Sequence, residues 1–206
     1  ERFDRKMHPS GTGLLRLPQE DFCQALGVGP AYKYESDGGP GIEQLAQVLG
    51  GSQNARADLR TLLASQVAFW LMAATDGHAK NFSLRLQAGC AYALTPLYDV
   101  LSAWPIIGSG KNQLAWRNAR LAMPVSGKNR HYELATIMRR HFNATAAKCG
   151  WGADAEDIVA ELLALVEPAI AAVGQQLPAD FPQDVAEAIF TGVRSQAQRL
   201  EGQPAH

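Results

Sequence analysis

The chain has 206 residues, 47% apolar and 19% charged, with a net charge of −1. That length can bury a sizeable core and that mixture excludes a disordered chain, while near-neutrality excludes a protein built throughout as a nucleic-acid binder. Three scattered cysteines without a CxxC pair exclude a zinc site of the usual spacing and fit unpaired thiols in a reducing, cytoplasmic setting. No secretory leader is read, and no apolar run is long enough to span a bilayer, so no membrane partner is expected. In chain order, the sequence opens on Glu1 rather than Met. "ERFDRKMHPSGTGLLRLPQEDF" shows no helix cap or domain start and reads as the interior of something longer. Pro18 opens a short predicted helix, with Glu20 and Asp21 in its first turn and Gly27 past its end. "KYESDGGPG", Lys33 to Gly41, is a loop, and Ile42 to Leu49 a brief amphipathic helix that stops at Gly50-Gly51.

Asp58 to Ala74 is the strongest predicted helix. Leu59, Leu62, Leu63, Val67, Trp70 and Leu71 recur at helical spacing, and Phe69, Met72 and Ala73 widen the apolar surface, which places it mid-core. Phe82–Leu86 and Tyr92–Leu94 read as a hairpin around "QAGCA". Trp104 to Lys128 reads as irregular. Tyr132–Cys149, Asp154–Gln176 and Asp184–Leu200 read as helices, the second kinked at Pro168. The expected fold is mainly α with a small β-hairpin, in one domain over residues 1–206. Gly108 to Arg140 holds seven basic residues against the single acid Glu133, so the acidic excess lies elsewhere. Such a stretch faces an acidic partner or is simply a solvated surface.

Between the long helix and the hairpin stands "ATDGHAKNFSLRL". Asp76 is followed five residues later by Asn81, then by the hairpin, then by Asp99. Kinase catalytic loops use this order: a catalytic Asp, an Asn five positions on, and a metal-binding Asp after a hairpin. Phosphoryl transfer needs positioning and charge neutralisation. One carboxylate orients the acceptor hydroxyl, while a carboxylate and an amide carbonyl suit Mg²⁺, a hard cation. Each residue also has a plainer reading. Asp76-Gly77 is an ordinary helix-ending turn, Asn81 a backbone ligand, Asp99 a cap on a following helix. A small-molecule phosphotransferase would use the same set. A metal hydrolase on Asp76, His78 and Asp99 lacks a second histidine nearby.

"ATDGHAKNFSL", "LTPLYDVLSA", "LLRLPQEDFCQALG" and "KYESDGGPGI" together resemble the C-terminal half of the HipA-family serine/threonine kinases, toxins of bacterial toxin–antitoxin pairs. The similarity runs from Glu1 almost to the end, with "RHFNATA" and "LPADFPQDV" also in order, and is looser from Lys111 to Arg130. The resemblance implies the helical C-lobe of a distant protein-kinase-like fold, with ATP and Mg²⁺ as cofactors. It implies a helix-turn-helix antitoxin partner that brings the toxin to operator DNA, and an aminoacyl-tRNA synthetase as substrate, typically the glutamyl enzyme. Asp76 then matches the catalytic aspartate and Asn81 and Asp99 the Mg²⁺ ligands. His78 falls at a nucleotide contact, Tyr98 packs on the nucleotide or in the core, and Lys80 faces the transferring phosphate or solvent. "ERFDR", residues 1–5, looks like the hinge between lobes: backbone from Glu1 to Phe3 would bond adenine, and Asp4 a ribose hydroxyl. Glu35 to Gly39 lines the substrate cleft or is only a turn. Arg117, Arg120, Lys128, Arg130, Arg139, Arg140 and Lys148 are the candidate nucleic-acid or partner patch, exposed and away from the cleft. A Gly-rich phosphate loop and an N-lobe lysine are missing, so the isolated chain is expected to be inactive. A lobe that only docks an antitoxin or another protein is the non-enzymatic alternative.

Overall fold

A computed structural model describes residues 2–205, beginning with an antiparallel ribbon of β1 (Arg5–Met7) and β2 (Leu14–Arg16). The helix predicted after Pro18 is largely a strand, β3 (Gln19–Asp21); only α1 (Phe22–Ala25) is helical. Asp21 does not lie inside the helix but caps it: its Oδ1 accepts the Gln24 amide at 3.0 Å, and Gln24 Oε1 accepts the Asp21 amide at 3.0 Å. Helix α2 (Ile42–Leu49) keeps its predicted bounds. Helix α3 (Ala55–Leu71) starts slightly earlier and ends slightly sooner than predicted.

The predicted hairpin is present as β4 (Ser83–Leu86) and β5 (Tyr92–Leu94), and β3 adds a third antiparallel strand on its free edge, with Asp21 opposite Ser83. A further ribbon corrects the region expected to be irregular. It pairs β6 (Arg120–Ser126) with β7 (Arg130–Glu133). Pro124 within the run argues against a strand, but the register shifts between Arg120 and Val125, a break in the ladder that accommodates it. Helix α4 (Arg139–Lys148) consequently begins later than the predicted Tyr132. Helix α5 (Glu156–Gln176) runs unbroken through Pro168, and α6 (Gln183–Glu201) closes the chain. The fold is thus mainly helical, with three small antiparallel sheets among the described residues rather than one hairpin. Among the described residues no helix is long and apolar enough to cross a membrane.

The core is organised around α3, which packs against α2, α4, α5, α6, β5 and β6. Leu62, Val67, Phe69, Trp70 and Leu71 are all buried, with Phe22, Leu45, Phe82, Met123, Ile137, Phe142 and Leu200 closing around them. At the start of α4, the buried His141 accepts the Met138 amide on Nδ1 at 3.2 Å, and its ring stacks on His131 with centroids 3.7 Å apart. Burial, then the charges of His131 and Arg140, pushes the His141 pKa from 6.5 down to about 4. Between those values the unfolded chain binds the proton that the folded chain refuses. The His141 contribution is therefore present above about pH 6.5 and is lost as pH falls toward 4. Urea unfolding across that window should show stability falling with acidification, and His141→Gln should flatten the slope; an unchanged slope refutes the assignment.

Candidate functional site

The end of α3 sets the site. Met72 closes the helix, Ala73 turns into the left-handed region at φ 49°, and the Ala74 amide donates back to the Phe69 carbonyl at 2.8 Å. This is a Schellman-type stop, made with alanine where glycine is usual. It throws Asp76 outward: its side chain is 54% exposed, while Gly77, His78 and Ala79 behind it are buried. A Cβ on Gly77 would lie 2.5 Å from the Phe69 ring, so the loop sits directly on the buried face of α3.

Asp76 Oδ1 accepts the Tyr34 hydroxyl at 2.5 Å, and His78 Nε2 stands 3.7 Å from the same oxygen. Tyr34 meets the His78 ring edge-on at 5.2 Å, and its hydroxyl pKa is raised chiefly by the bond to Asp76. Burial is the main influence on His78 and lowers its pKa, so the ring is neutral near pH 7. Tyr34 belongs to the "KYESDGG" loop, forty-two residues from Asp76 in sequence. With Ser36, Thr75, Arg120 and Tyr132 it lines an open recess of about 430 Å³ beside Asp76.

Asn81 and Asp99 meet across the hairpin: the Asn81 Nδ2 donates to Asp99 Oδ2 at 2.9 Å, and Asn81 Oδ1 accepts the His78 amide at 3.1 Å. Asp99 is exposed, sits in the left-handed region at φ 57°, and has no cationic partner among the described residues. No helix starts directly after it, and the next, a short turn at Trp104–Ile106, has Ala103 at its N-cap, so the capping alternative falls away. For a hard cation the donor types fit, a carboxylate and an amide carbonyl side by side. The amide shows its nitrogen to Asp99, so a shared ion would require the Asn81 oxygen to leave the His78 amide.

On the other side of the hairpin, the Tyr98 hydroxyl donates to the Lys80 carbonyl at 2.7 Å and accepts from Ser83 Oγ at 2.6 Å. The Tyr98 ring lies 5.8 Å from that of Phe3. Phe3, Asp4 and Tyr98, predicted apart in sequence, line one recess of about 520 Å³ with Arg2, Gln19 and Leu97. Asp4 is held there by Arg2 at 2.8 Å through both carboxylate oxygens and by Arg5, and the Arg2 bond is the main cause of its lowered pKa. Glu1 lies outside the described residues. The Lys80 ammonium is bonded to Asp21 at 2.6 Å, which raises its pKa, so meeting a phosphate would mean leaving that carboxylate.

Two residues were not singled out from sequence. Tyr34 is one. Gln19 is the other: its Oε1 is buried without a partner in the Phe3–Tyr98 recess. His78 Nδ1 is likewise unpartnered, and these are two of the three such side-chain atoms among the described residues. Buried polar atoms are rarely left without a hydrogen-bond partner, protein or ordered water. Both signals depend on contacts that no spacing rule encodes.

The seven candidate patch residues are dispersed. Arg120 pairs with Glu133 at 2.6 Å and borders the Asp76 recess; Arg130 pairs with Glu35. Arg139 is mostly buried against Glu156, and Lys148 is 3.8 Å from Glu43. Lys128 and Arg140 share a separate recess, and Arg117 is exposed.

Residues 1–170 match the family model described as HipA-like C-terminal domain. The chain is 40% identical over 103 residues to "Putative kinase Y4mE" of Sinorhizobium fredii, an alignment spanning 50% of this chain and 24% of that protein. It is 30% identical over 113 residues to the serine/threonine-protein kinase toxin HipA of Shewanella oneidensis, spanning 50% of this chain and 26% of that one. A solved Shewanella oneidensis MR-1 complex of HipA, HipB and operator DNA contains a chain that superposes with a TM-score of 0.80 at 23% identity. The match covers 98% of this chain and 48% of that chain, and at that identity it is a likeness of fold.

The tight seat of the Asp76 loop is testable. Gly77→Ala should destabilise the protein by about 1–3 kcal/mol in urea unfolding, by overpacking against Phe69. Phe69→Leu in the same background should recover part of that loss; an unchanged midpoint for Gly77→Ala would show that the loop is not seated on the ring.

Proposed function

The chain belongs to the HipA-like C-terminal domain family, and from that membership we propose that it is the C-terminal lobe of an ATP- and Mg²⁺-dependent serine/threonine protein kinase. The observation that carries the proposal is the exposed Asp76 carboxylate receiving a hydroxyl hydrogen bond at 2.5 Å, with Asn81 and Asp99 joined behind it at the hairpin. The family membership and the serine/threonine-kinase toxin among its relatives support the same reading. In this proposal residues 1–206 are one lobe, residues 1–5 form the inter-lobe hinge, and the other lobe supplies the phosphate loop.

Asp76 acts as the general base that accepts, or orients, the acceptor hydroxyl proton. The Tyr34 hydroxyl occupies the position such an acceptor would take on Oδ1, so it must yield when substrate enters through the recess between Tyr34 and Tyr132. Before an ion binds, the His78 backbone amide braces the loop by its bond to Asn81 Oδ1, a bond that Asn81 gives up when its oxygen turns to the metal. Asp99 and Asn81 would hold Mg²⁺, which when bound neutralises charge on the transferring phosphate. The adenine end of ATP fits the Phe3–Tyr98 recess, which Gln19 also lines.

The partner is a helix-turn-helix antitoxin of the HipB kind. The superposed Shewanella oneidensis chain comes from a complex that holds HipB and operator DNA. The substrate is a protein serine, on an aminoacyl-tRNA synthetase such as the glutamyl enzyme, and the setting is cytoplasmic.

The deciding experiment is ATP-dependent phosphorylation by the intact protein, with the labelled product read by mass. Asp76→Ala should lower turnover by roughly 10²–10⁴-fold, the usual range for a general base. The side chain is exposed, so the variant should fold, and near-normal turnover would overturn the assignment. Asn81→Ala and Asp99→Ala should raise the Mg²⁺ concentration needed for half-maximal rate; an unchanged requirement would remove them as ligands.

A further inference from the structure

The β6–β7 turn and the first turn of α4 enclose a recess of about 590 Å³, lined by Gly127, Lys128, Asn129, His131, Arg140 and His141. It shares no lining residue with the recess beside Asp76. No carboxylate lines it. The basic residues around it are sorted in a telling way. Arg120, Arg130, Arg139 and Lys148 each face a glutamate. Lys128 and Arg140, which face the recess, have no carboxylate partner among the described residues.

Arg140 also stands in the first turn of a ten-residue helix, and that turn contains no acid. Unsatisfied amides make a helix N-terminus electropositive, so a cation there is unfavourable unless something offsets it. For the neighbouring Arg139, Glu156 does so. For Arg140 no carboxylate among the described residues does, and an anion in the recess would. The imidazoles add ring N–H donors. His141 accepts the Met138 amide on Nδ1, so its neutral ring carries its proton on Nε2. The turn backbone closes tightly on the pair: a Cβ on Gly127 would stand 2.7 Å from His131 Nε2.

We infer that this recess is a binding site for a phosphate monoester group, with Lys128 and Arg140 as its cations and Asn129, His131 and His141 as hydrogen-bond donors. Two cations and several donors match a dianion with three free oxygens better than they match a carboxylate. The volume leaves room for a small organic remainder. A concave recess suits a compact monoester rather than the convex backbone of a duplex. The inference stands on this recess alone and is independent of the role proposed for Asp76.

The test is a titration of the intact protein, labelled at histidine rings and followed by NMR at constant pH and ionic strength in chloride. The probes are inorganic phosphate, ribose 5-phosphate and a phosphoserine peptide. The His131 and His141 ring resonances should shift saturably with phosphate, while those of the distant His8 stay fixed. Lys128→Ala and Arg140→Ala should each weaken binding by about tenfold, the loss of one charge-assisted contact. Arg117→Ala, exposed and outside the recess, should leave it unchanged. Tighter binding of ribose 5-phosphate than of phosphate assigns a small-molecule source, and tighter binding of the peptide a phosphorylated protein. No saturable shift with any monoester, or full affinity in both recess variants, overturns the inference. So does a shift with duplex DNA alone, which would make the recess a nucleic-acid contact.

Discussion

Trp70 has no exposed surface, yet its indole carries a polar N–H that must be satisfied inside the core. Leaving such a donor unpaired costs about 1–3 kcal/mol. The Leu134 carbonyl, just past β7, accepts it at 3.0 Å. Phe142 of α4 meets the ring edge-on at 5.9 Å, and the Arg199 guanidinium of α6 lies over it at 5.4 Å. Arg199 in turn donates to the Leu134, Ala135 and Ile137 carbonyls. One side chain of α3 therefore fixes where the segment after β7, α4 and α6 can lie. With α3 held on nearly all sides, the chain leaving its C-terminal end has one route, and that route carries Asp76.

The backbone around Asp76 and Asp99 is held by a frame of local contacts. Left-handed backbone at Ala73 and Asp99 is costly for residues with a Cβ, of order 1–3 kcal/mol each, and persists only where surrounding contacts over-determine it. Those contacts are visible. The Ala103 amide donates to the Ala73 carbonyl at 3.1 Å. Tyr98, beside Asp99, is tied to both Lys80 and Ser83. Lys80 is tied to Asp21, the N-cap of α1, so the hairpin and the segment before it form one frame. Within that frame, Gln19 Oε1 and His78 Nδ1 are buried without a protein partner.

Charge follows a similar logic. The basic stretch of the sequence does not fold into a uniform surface. Acids from distant segments meet it: Glu35 from the loop before α2, Glu43 from α2, Glu156 from α5. Of the stretch's cations left without a carboxylate partner among the described residues, Lys128 and Arg140 share the recess at the β6–β7 turn and the start of α4, while Lys111 and Arg117 stand exposed elsewhere. A net charge near zero thus coexists with a local recess that is cationic, because pairing is decided residue by residue and not by segment totals.

The sequence alone determined the elements whose signals are local. Helical periodicity located α3, and its all-round apolar surface placed it in the middle of the core. The alternation after Asn81 located the β4–β5 hairpin, and the order Asp76, Asn81, hairpin, Asp99 brought the last two side chains together as expected. Strand β3 was illegible because its partner β4 lies far on in sequence, whereas β6 and β7 pair locally but carry no clean alternation through Pro124. Pro18 before Gln19 mimics a helix start, and Pro124 inside β6 mimics a break. Tertiary structure alone decided that Tyr34 reaches Asp76, that Gln19 lies with Phe3 and Tyr98, and that Lys80 belongs to Asp21. Side-chain hydrogen bonds and ion pairs form between whatever groups the packed backbone brings within about 3 Å, and neither composition nor periodicity records that proximity.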